Sequence, residues 1–345
     1  MPETFRPSRL VPEVDFNREG KQTGYIRLFH STHDSAYGFL PIPILVVKNG
    51  EGPTALFSAG NHGDEYEGQV ALTNLAQWLE PGMIQGRVII LPMANYPAAL
   101  AGRRVSPIDD LNLNRIFPGD PDGTVTRQIA HFIDSQLIPL ADLVIDLHSG
   151  GSSLNYIPCA LAKQSADPAV FRKQLAALRA FSAPYTYIQG SAQGQGGDQT
   201  LGSGADRRGR IALGTELGGC GTVNPAGLAI AERGLRNVLV HLGILPAEHW
   251  REPPAPTRFL DVRGENDYIY APENGVFEPL VALGDTVAAG QSAARIHTPE
   301  TPWRAPVELA FKASGIVMCQ RIPARTKRGD CLFHLASDLH MDGMT

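Results

Sequence analysis

Short apolar runs alternate with amphipathic stretches over roughly the first 250 residues, and this alternation restricts the fold more than any other feature of the chain. Residues 41–48, 54–59, 87–92, 143–147 and 210–215 are apolar or β-branched and are bounded by turn residues, as buried strands are. Between them, residues 67–79 carry Val70, Leu72, Leu75, Ala76 and Leu79 at helical spacing, and residues 124–138 do the same with Ile129, Phe132, Ile133 and Leu137. Further helices are predicted over residues 167–181 and 225–242. Such a chain forms an α/β fold, a mostly parallel or mixed sheet flanked by helices, with ligands outside the carboxyl ends of the strands.

Two of those strand ends carry metal-ligand side chains. His62 and Glu65 lie in Gly60-Asn61-His62-Gly63-Asp64-Glu65, just after one predicted strand, and His148 lies in Asp146-Leu147-His148-Ser149-Gly150 at the end of another. Two imidazoles and a carboxylate suit zinc and leave a fourth coordination position open, as a catalytic site needs. A His-x-x-Glu pair is common by chance, because helix starts favour acidic residues and a histidine can serve a core hydrogen bond. The placement after strands is what singles this set out. Asp146 either orients a ligand histidine or caps a loop, and the pattern leaves both readings open.

Two more segments bear chemistry. Residues 103–119, with Arg103, Arg104, Asn114 and Arg115, are polar and proline-bounded, so a functional loop is expected there in place of a regular helix. Asn114-Arg115 can hold a carboxylate by parallel hydrogen bonds, the alternative being surface charges paired with Asp109, Asp110 or Asp120. Glu216 ends an apolar strand before Gly218 and Gly219, where it is either a general base tuned by burial and a nearby metal or a partner for a helix N-terminus.

After Pro246 the texture changes. Residues 252–257 (Glu-Pro-Pro-Ala-Pro-Thr) form a stiff linker, and beyond them short strands alternate with Gly-Asp and Ala-Gly turns. The expected division is a catalytic domain at 1–250, with an N-terminal extension at 1–40, and a small all-β barrel or sandwich at 258–340. The second region resembles biotinyl/lipoyl carrier domains, but it has no Met-Lys-Met or Asp-Lys-Ala attachment tripeptide and is read as scaffold.

Composition narrows the partners. The net charge of −5 over 345 residues, with no basic block, gives no reason to expect nucleic acid or an acidic membrane. No run approaches the roughly 18 apolar residues of a membrane span and no secretory signal opens the chain, so a cytoplasmic location is expected. The four cysteines, Cys159, Cys220, Cys319 and Cys331, are scattered, which suits free thiols better than a disulfide framework. A small molecule is the expected partner, and assembly into a homo-oligomer is left open.

Gly-Asn-His-Gly-Asp-Glu at 60–65, Asn-Leu-Asn-Arg-Ile-Phe-Pro-Gly at 112–119, Asp-Leu-His-Ser-Gly at 146–150 and Thr-Glu-Leu-Gly-Gly at 215–219 occur in one order. In these motifs the chain resembles the succinylglutamate desuccinylase/aspartoacylase family, relatives of the zinc carboxypeptidases. The resemblance implies a zinc-carboxypeptidase-like sheet and one zinc ion per chain held by His62, Glu65 and His148. It implies Glu216 as general base and acid, Arg104 (or Arg103 beside it) polarising the scissile carbonyl, Asn114 with Arg115 anchoring a carboxylate, and Tyr270 as the substrate-binding tyrosine of the C-terminal domain. The expected reaction is hydrolysis of the amide of a small N-acyl amino acid. Residues 46–50, 62–68, 117–126 and 230–239 resemble the subgroup of N-α-acetyl-L-2,4-diaminobutyrate deacetylases, and for an amine-bearing substrate Asp198 is a candidate acidic partner. The alternatives are a metallocarboxypeptidase acting on peptides, an ester or other amide hydrolase, and a non-catalytic metal-binding module.

Overall fold

The computed structural model describes residues 6–189, 197–262 and 264–339. Parallel strands in the spatial order Gly86–Leu91, Thr54–Ala59, Leu143–Leu147 and Ile211–Glu216 form the centre of a mixed sheet. Phe39–Asn49 and Gly20–Phe29 extend one side as antiparallel strands, and Cys159–Lys163 begins the other, antiparallel to Ile211–Glu216.

Every residue of Thr54–Ala59 and of Leu143–Leu147 is buried, because helices cover both faces of the sheet. Phe57 and Ile145 pack toward Leu72, Leu75, Leu178 and Leu235 on one side. Leu56 and Val144 pack toward Phe132, Ile133 and Leu201 on the other. This is why the central strands are continuous apolar runs in the sequence and do not alternate.

The predicted helices form over Glu67–Trp78, Pro168–Phe181 and Pro225–His241. The last two start on side-chain caps: Asp167 accepts from the amide of Ala169, and Asn224 accepts from those of Ala226 and Gly227, each followed by proline at the first helical position. The helix expected over residues 124–138 differs. It is α-helical only over Val125–Phe132, widens to a π turn at Ile133–Leu137 and closes as a 3-10 turn at Ile138–Leu140. Pro139 brings no N–H with which to continue the α pattern. The helix Leu201–Arg207 escapes the periodicity because Gly202, Ser203 and Gly204 interrupt it; the Thr200 hydroxyl caps it by accepting from the Ser203 amide.

Beyond residue 250 the described elements are strands and 3-10 turns. Val307–Ala310, Ser292–His297, Gly275–Pro279 and Arg325–Thr326 form a separate antiparallel sheet. It shares a core with the strand Cys331–Asp338, where Phe333 lies 5.5 Å from Phe277 and 5.6 Å from Phe311 between ring centroids. The main sheet also runs on into this region, since Arg258–Val262 pairs in parallel with Tyr185–Gln189 and antiparallel with Cys331–Asp338. Leu154–Tyr156, just after His148, pairs with Gly315–Arg321. These joins bring C-terminal side chains to the carboxyl end of the sheet, where the candidate metal-ligand residues lie.

Register sets that edge. Ala59 lies opposite Leu147 and Gly214 opposite Asp146, so His148 and Glu216 leave adjacent strands at the same level and His62 follows on the neighbouring strand.

Candidate active site

The loop carrying His62 and Glu65 is shaped by its glycines. Gly60 turns the chain out of its strand at φ 67°, a conformation that favours glycine. Gly63 lies against the helix Tyr96–Ala101, where an added Cβ would fall 1.9 Å from the Ala98 carbonyl oxygen. The Gly63 amide donates to the Arg103 carbonyl at 2.8 Å, which ties the arginine loop to the ligand loop.

His62, Glu65 and His148 come together as one buried group, with ligand atoms all within 4.8 Å of one another. The Nδ1 atoms of His62 and His148 lie 2.7 and 2.8 Å from the two oxygens of Glu65. The Nε2 atoms point outward: that of His62 is 3.1 Å from Asn112 Oδ1 and that of His148 is 2.7 Å from Asp146 Oδ2. Asp146 is in turn held by Asn61, whose Nδ2 donates to Oδ2 at 3.0 Å. This donor set fits a divalent metal: two imidazoles and a carboxylate face one point, with polar groups behind the rings fixing their orientation. Of the two roles open for Asp146, the geometry shows contact with a candidate ligand ring.

Asn112 and Asn61 carry no sequence signal of their own, and the motif reading missed their positions behind the rings. Truncating Asn112 to alanine is expected to weaken binding of a divalent metal at this group about 10- to 100-fold, measured by competition with a chromophoric chelator.

Charge within the group is shared unequally. Burial opposes ionisation of Glu65, but His62 and His148 outweigh it and hold the carboxyl well below its ordinary range. Burial lowers the affinity of His62 for a proton. It acts the same way on His148, yet Asp146 and Glu65 reverse it and raise that imidazole well above its usual value.

The group opens into a cavity of about 640 Å³ that also meets Arg104, Asn114, Arg115, Glu216 and Tyr270. Glu216 is pushed up to about 8 by burial and then by the Glu65 charge, against the pull of His148 and Arg104. Its Oε2 is buried without a hydrogen-bond partner, so that oxygen caps no helix amide. Arg104 Nη1 lies 3.3 Å from His62 Nδ1 and 3.5 Å from Glu65 Oε1, whereas Arg103 faces Asp110 at 3.7 Å. Asn114 Nδ2 is 3.1 Å from His148 Nε2, and its Oδ1 accepts from the Leu201 amide at 3.0 Å. The Arg115 guanidinium donates to the Asn114 carbonyl at 2.7 Å. Of the aspartates weighed as arginine partners, Asp109 instead accepts from Thr126 and Asp120 pairs with Arg6. Tyr270 stands at the cavity rim, half exposed and stacked on Tyr268 with ring centroids 6.1 Å apart. Asp198 is ion-paired with Lys163 at 2.5 Å and exposed; residues 190–196 of its loop lie outside the described residues.

The C-terminal region adds a wall residue that no motif announced. His334 lines the cavity, is 3% exposed, and neither ring nitrogen has a hydrogen-bond partner. Burial lowers it to about 4, the Asp267 charge opposing. Its folded value is therefore below the ordinary value near 6.5, so the stability that depends on its neutral form is complete above pH 6.5 and is lost as pH falls toward 4. The difference corresponds to roughly 3 kcal/mol. His334→Phe, which cannot titrate, is expected to gain about that much relative to the wild type between pH 7 and pH 4 in urea unfolding.

Comparison with known proteins agrees with this architecture. The profile of the succinylglutamate desuccinylase/aspartoacylase catalytic domain matches residues 51–242. The N-alpha-acetyl-L-2,4-diaminobutyric acid deacetylase of Halomonas elongata is 44% identical over 331 residues, covering 96% of each chain. Among solved structures, a succinylglutamate desuccinylase/aspartoacylase from Rhodobacter sphaeroides superposes with a TM-score of 0.90 at 43% identity, over 96% of this chain and 100% of that one. The product-bound ectoine utilization protein EutE (DoeB) of Ruegeria pomeroyi gives 0.91 at 39% identity, over 96% and 99%. The chain belongs to the succinylglutamate desuccinylase/aspartoacylase family. That family acts on N-acyl amino acids. No helix among the described residues is long and apolar enough to cross a membrane.

Proposed function

We propose that this protein is a zinc-dependent amidohydrolase that removes the acetyl group from N-α-acetyl-L-2,4-diaminobutyrate or a closely similar N-acyl amino acid. The observation that carries the reading is the convergence, in one cavity, of the buried His62-Glu65-His148 group with the carboxyl of Glu216, whose Oε2 is buried. The 44% identity to the Halomonas elongata deacetylase supports the choice of substrate.

His62, Glu65 and His148 would hold one zinc ion per chain. When bound, zinc supplies a Lewis acid that acidifies water and polarises a carbonyl. In its ionised form Glu216 takes the proton from the attacking water and returns it to the amide nitrogen as the C–N bond breaks, giving acetate and the free amine. Arg104, beside the ligand group, faces the carbonyl oxygen and stabilises the charge that develops there. Arg115, with Asn114 next to it, holds the substrate carboxylate, a task that suits the planar guanidinium. Tyr270 closes the rim over the bound molecule.

The test is a metal-loaded activity screen over N-acetyl, N-succinyl and N-formyl amino acids, including N-α-acetyl-L-2,4-diaminobutyrate, with peptides in parallel. Release of acetate from the diaminobutyrate derivative is the expected result. Release of C-terminal residues from peptides would make the protein a metallocarboxypeptidase, and zinc binding without hydrolysis of any compound would make it a binding module.

A further inference from the structure

Among the polar atoms left unpartnered around the cavity, Asp146 and Ser149 adjoin His148, Glu216 has its task in the reaction, and Asp206 Oδ1 lies near the C-terminal end of the helix Leu201–Arg207. His334 has no task there, although it is deeply buried with neither ring nitrogen bonded. A buried nitrogen left in this state costs about 1 to 3 kcal/mol, so a partner arriving with the substrate would recover what folding leaves unmet.

Its surroundings specify what that partner is. Tyr268 stacks on the imidazole at 4.5 Å with an interplanar angle of 4°. Tyr156 and Tyr187 meet it edge-on at 6.4 and 6.0 Å. Tyr270 continues the stack outward from Tyr268 to the rim. All five rings line the same cavity as the metal-ligand group. Register links this wall to the catalytic end: Tyr268 pairs with His334, His334 with Cys319 and Cys319 with Tyr156, while Tyr156 follows His148 by eight residues on the same stretch of chain. Aromatic faces attract a cation, and a neutral imidazole nitrogen accepts a hydrogen bond from one without charge repulsion. An apolar acyl tail would leave both nitrogens as they stand, and a carboxylate would find no cation among these rings.

We propose that His334 is a specificity residue of this site, accepting a hydrogen bond from the side-chain ammonium of the substrate within the box formed by Tyr156, Tyr187 and Tyr268. The inference rests on the reading that the substrate is an N-acyl diamino acid, and it adds the group that tells such a substrate from a neutral one. His334 acts in binding and takes no part in bond breaking.

The test compares N-α-acetyl-L-2,4-diaminobutyrate with N-acetyl-L-norvaline, in which a methyl replaces the ammonium. In His334→Phe the ratio of kcat/KM for the amine substrate to that for the norvaline substrate is expected to fall about 10- to 100-fold, the worth of a hydrogen bond to a charged group. The loss should appear in KM more than in kcat, with zinc content unchanged. His334→Gln, which keeps an acceptor, should recover most of the ratio. Binding of L-2,4-diaminobutyrate and of L-norvaline, followed by calorimetry, gives a second readout that does not require turnover. The wild type is expected to favour the diamine, and His334→Phe to lose that preference.

An unchanged ratio in His334→Phe, or an equal loss for both compounds, would overturn the inference and leave His334 a packing residue. Failure of the wild type to hydrolyse either N-acetyl compound would instead count against the proposed reaction. In that case the calorimetric preference would still decide the role of His334.

Discussion

Replacing Glu216 with glutamine is expected to lower kcat on the order of 10²- to 10⁴-fold while leaving one zinc per chain, the range associated with loss of a positioned general acid-base. Glutamine keeps the shape of the side chain but can neither take a proton from water nor return one to the leaving nitrogen. Arg104 and Arg115 are cationic, and the Glu65 oxygens are engaged by His62, His148 and the Ser149 amide. Steady-state kinetics with metal analysis on the same preparation checks the prediction. Near-normal turnover in Glu216→Gln would move the base elsewhere in the cavity.

The second large effect is expected at Glu65. Its carboxylate lies between the two imidazoles, so Glu65→Ala removes one of three ligands and also the group that both Nδ1 atoms face. Zinc content after dialysis should fall from one per chain to less than about a tenth, and activity to below about a thousandth of the wild type. A chelator should inactivate the wild type, and added zinc should restore it but not the variant. Retention of full zinc by Glu65→Ala would show that the metal is held by a different set of residues. Thermal unfolding belongs beside both measurements, because removing a buried carboxylate leaves two imidazoles facing each other at a centroid distance of 4.9 Å.

Much of the fold was legible because both faces of the central sheet are covered. Strands such as Thr54–Ala59 and Leu143–Leu147 must then be apolar throughout, and an unbroken apolar run between turn residues is an easy signal. The capped helices Pro168–Phe181 and Pro225–His241 were legible for a related reason, each carrying Asp or Asn and then proline at its start. Less of the outer structure could be read. Leu201–Arg207 is rich in glycine and serine and owes its helix to a threonine cap and to the burial of Leu201 and Ala205. The π turn at Ile133–Leu137 has no periodic signature of its own.

For the candidate site, residue type was legible and environment was not. His62, Glu65, His148 and Glu216 announce themselves because metal-ligand and acid-base side chains at strand ends are expensive to place without purpose. Asn112 and Asn61 do not, since an asparagine behind a ligand ring looks like an asparagine in any turn. The choice between Arg103 and Arg104 also needed three dimensions. Both are basic neighbours in one loop, and only the fold turns Arg104 toward Glu65 and Arg103 toward Asp110.

The sequence by itself determined the α/β class, the β-rich C-terminal region and the residue types of the candidate metal-ligand group, because hydrophobic periodicity and side-chain chemistry are local properties of the chain. The tertiary structure decided what surrounds that group: which arginine faces it, what orients its histidines, and that a buried histidine from the far end of the chain reaches the same cavity. Apart from the contact between Asp146 and His148, those contacts join residues tens to hundreds of positions apart, made by loops or, for His334, by strand register, so no local pattern records them.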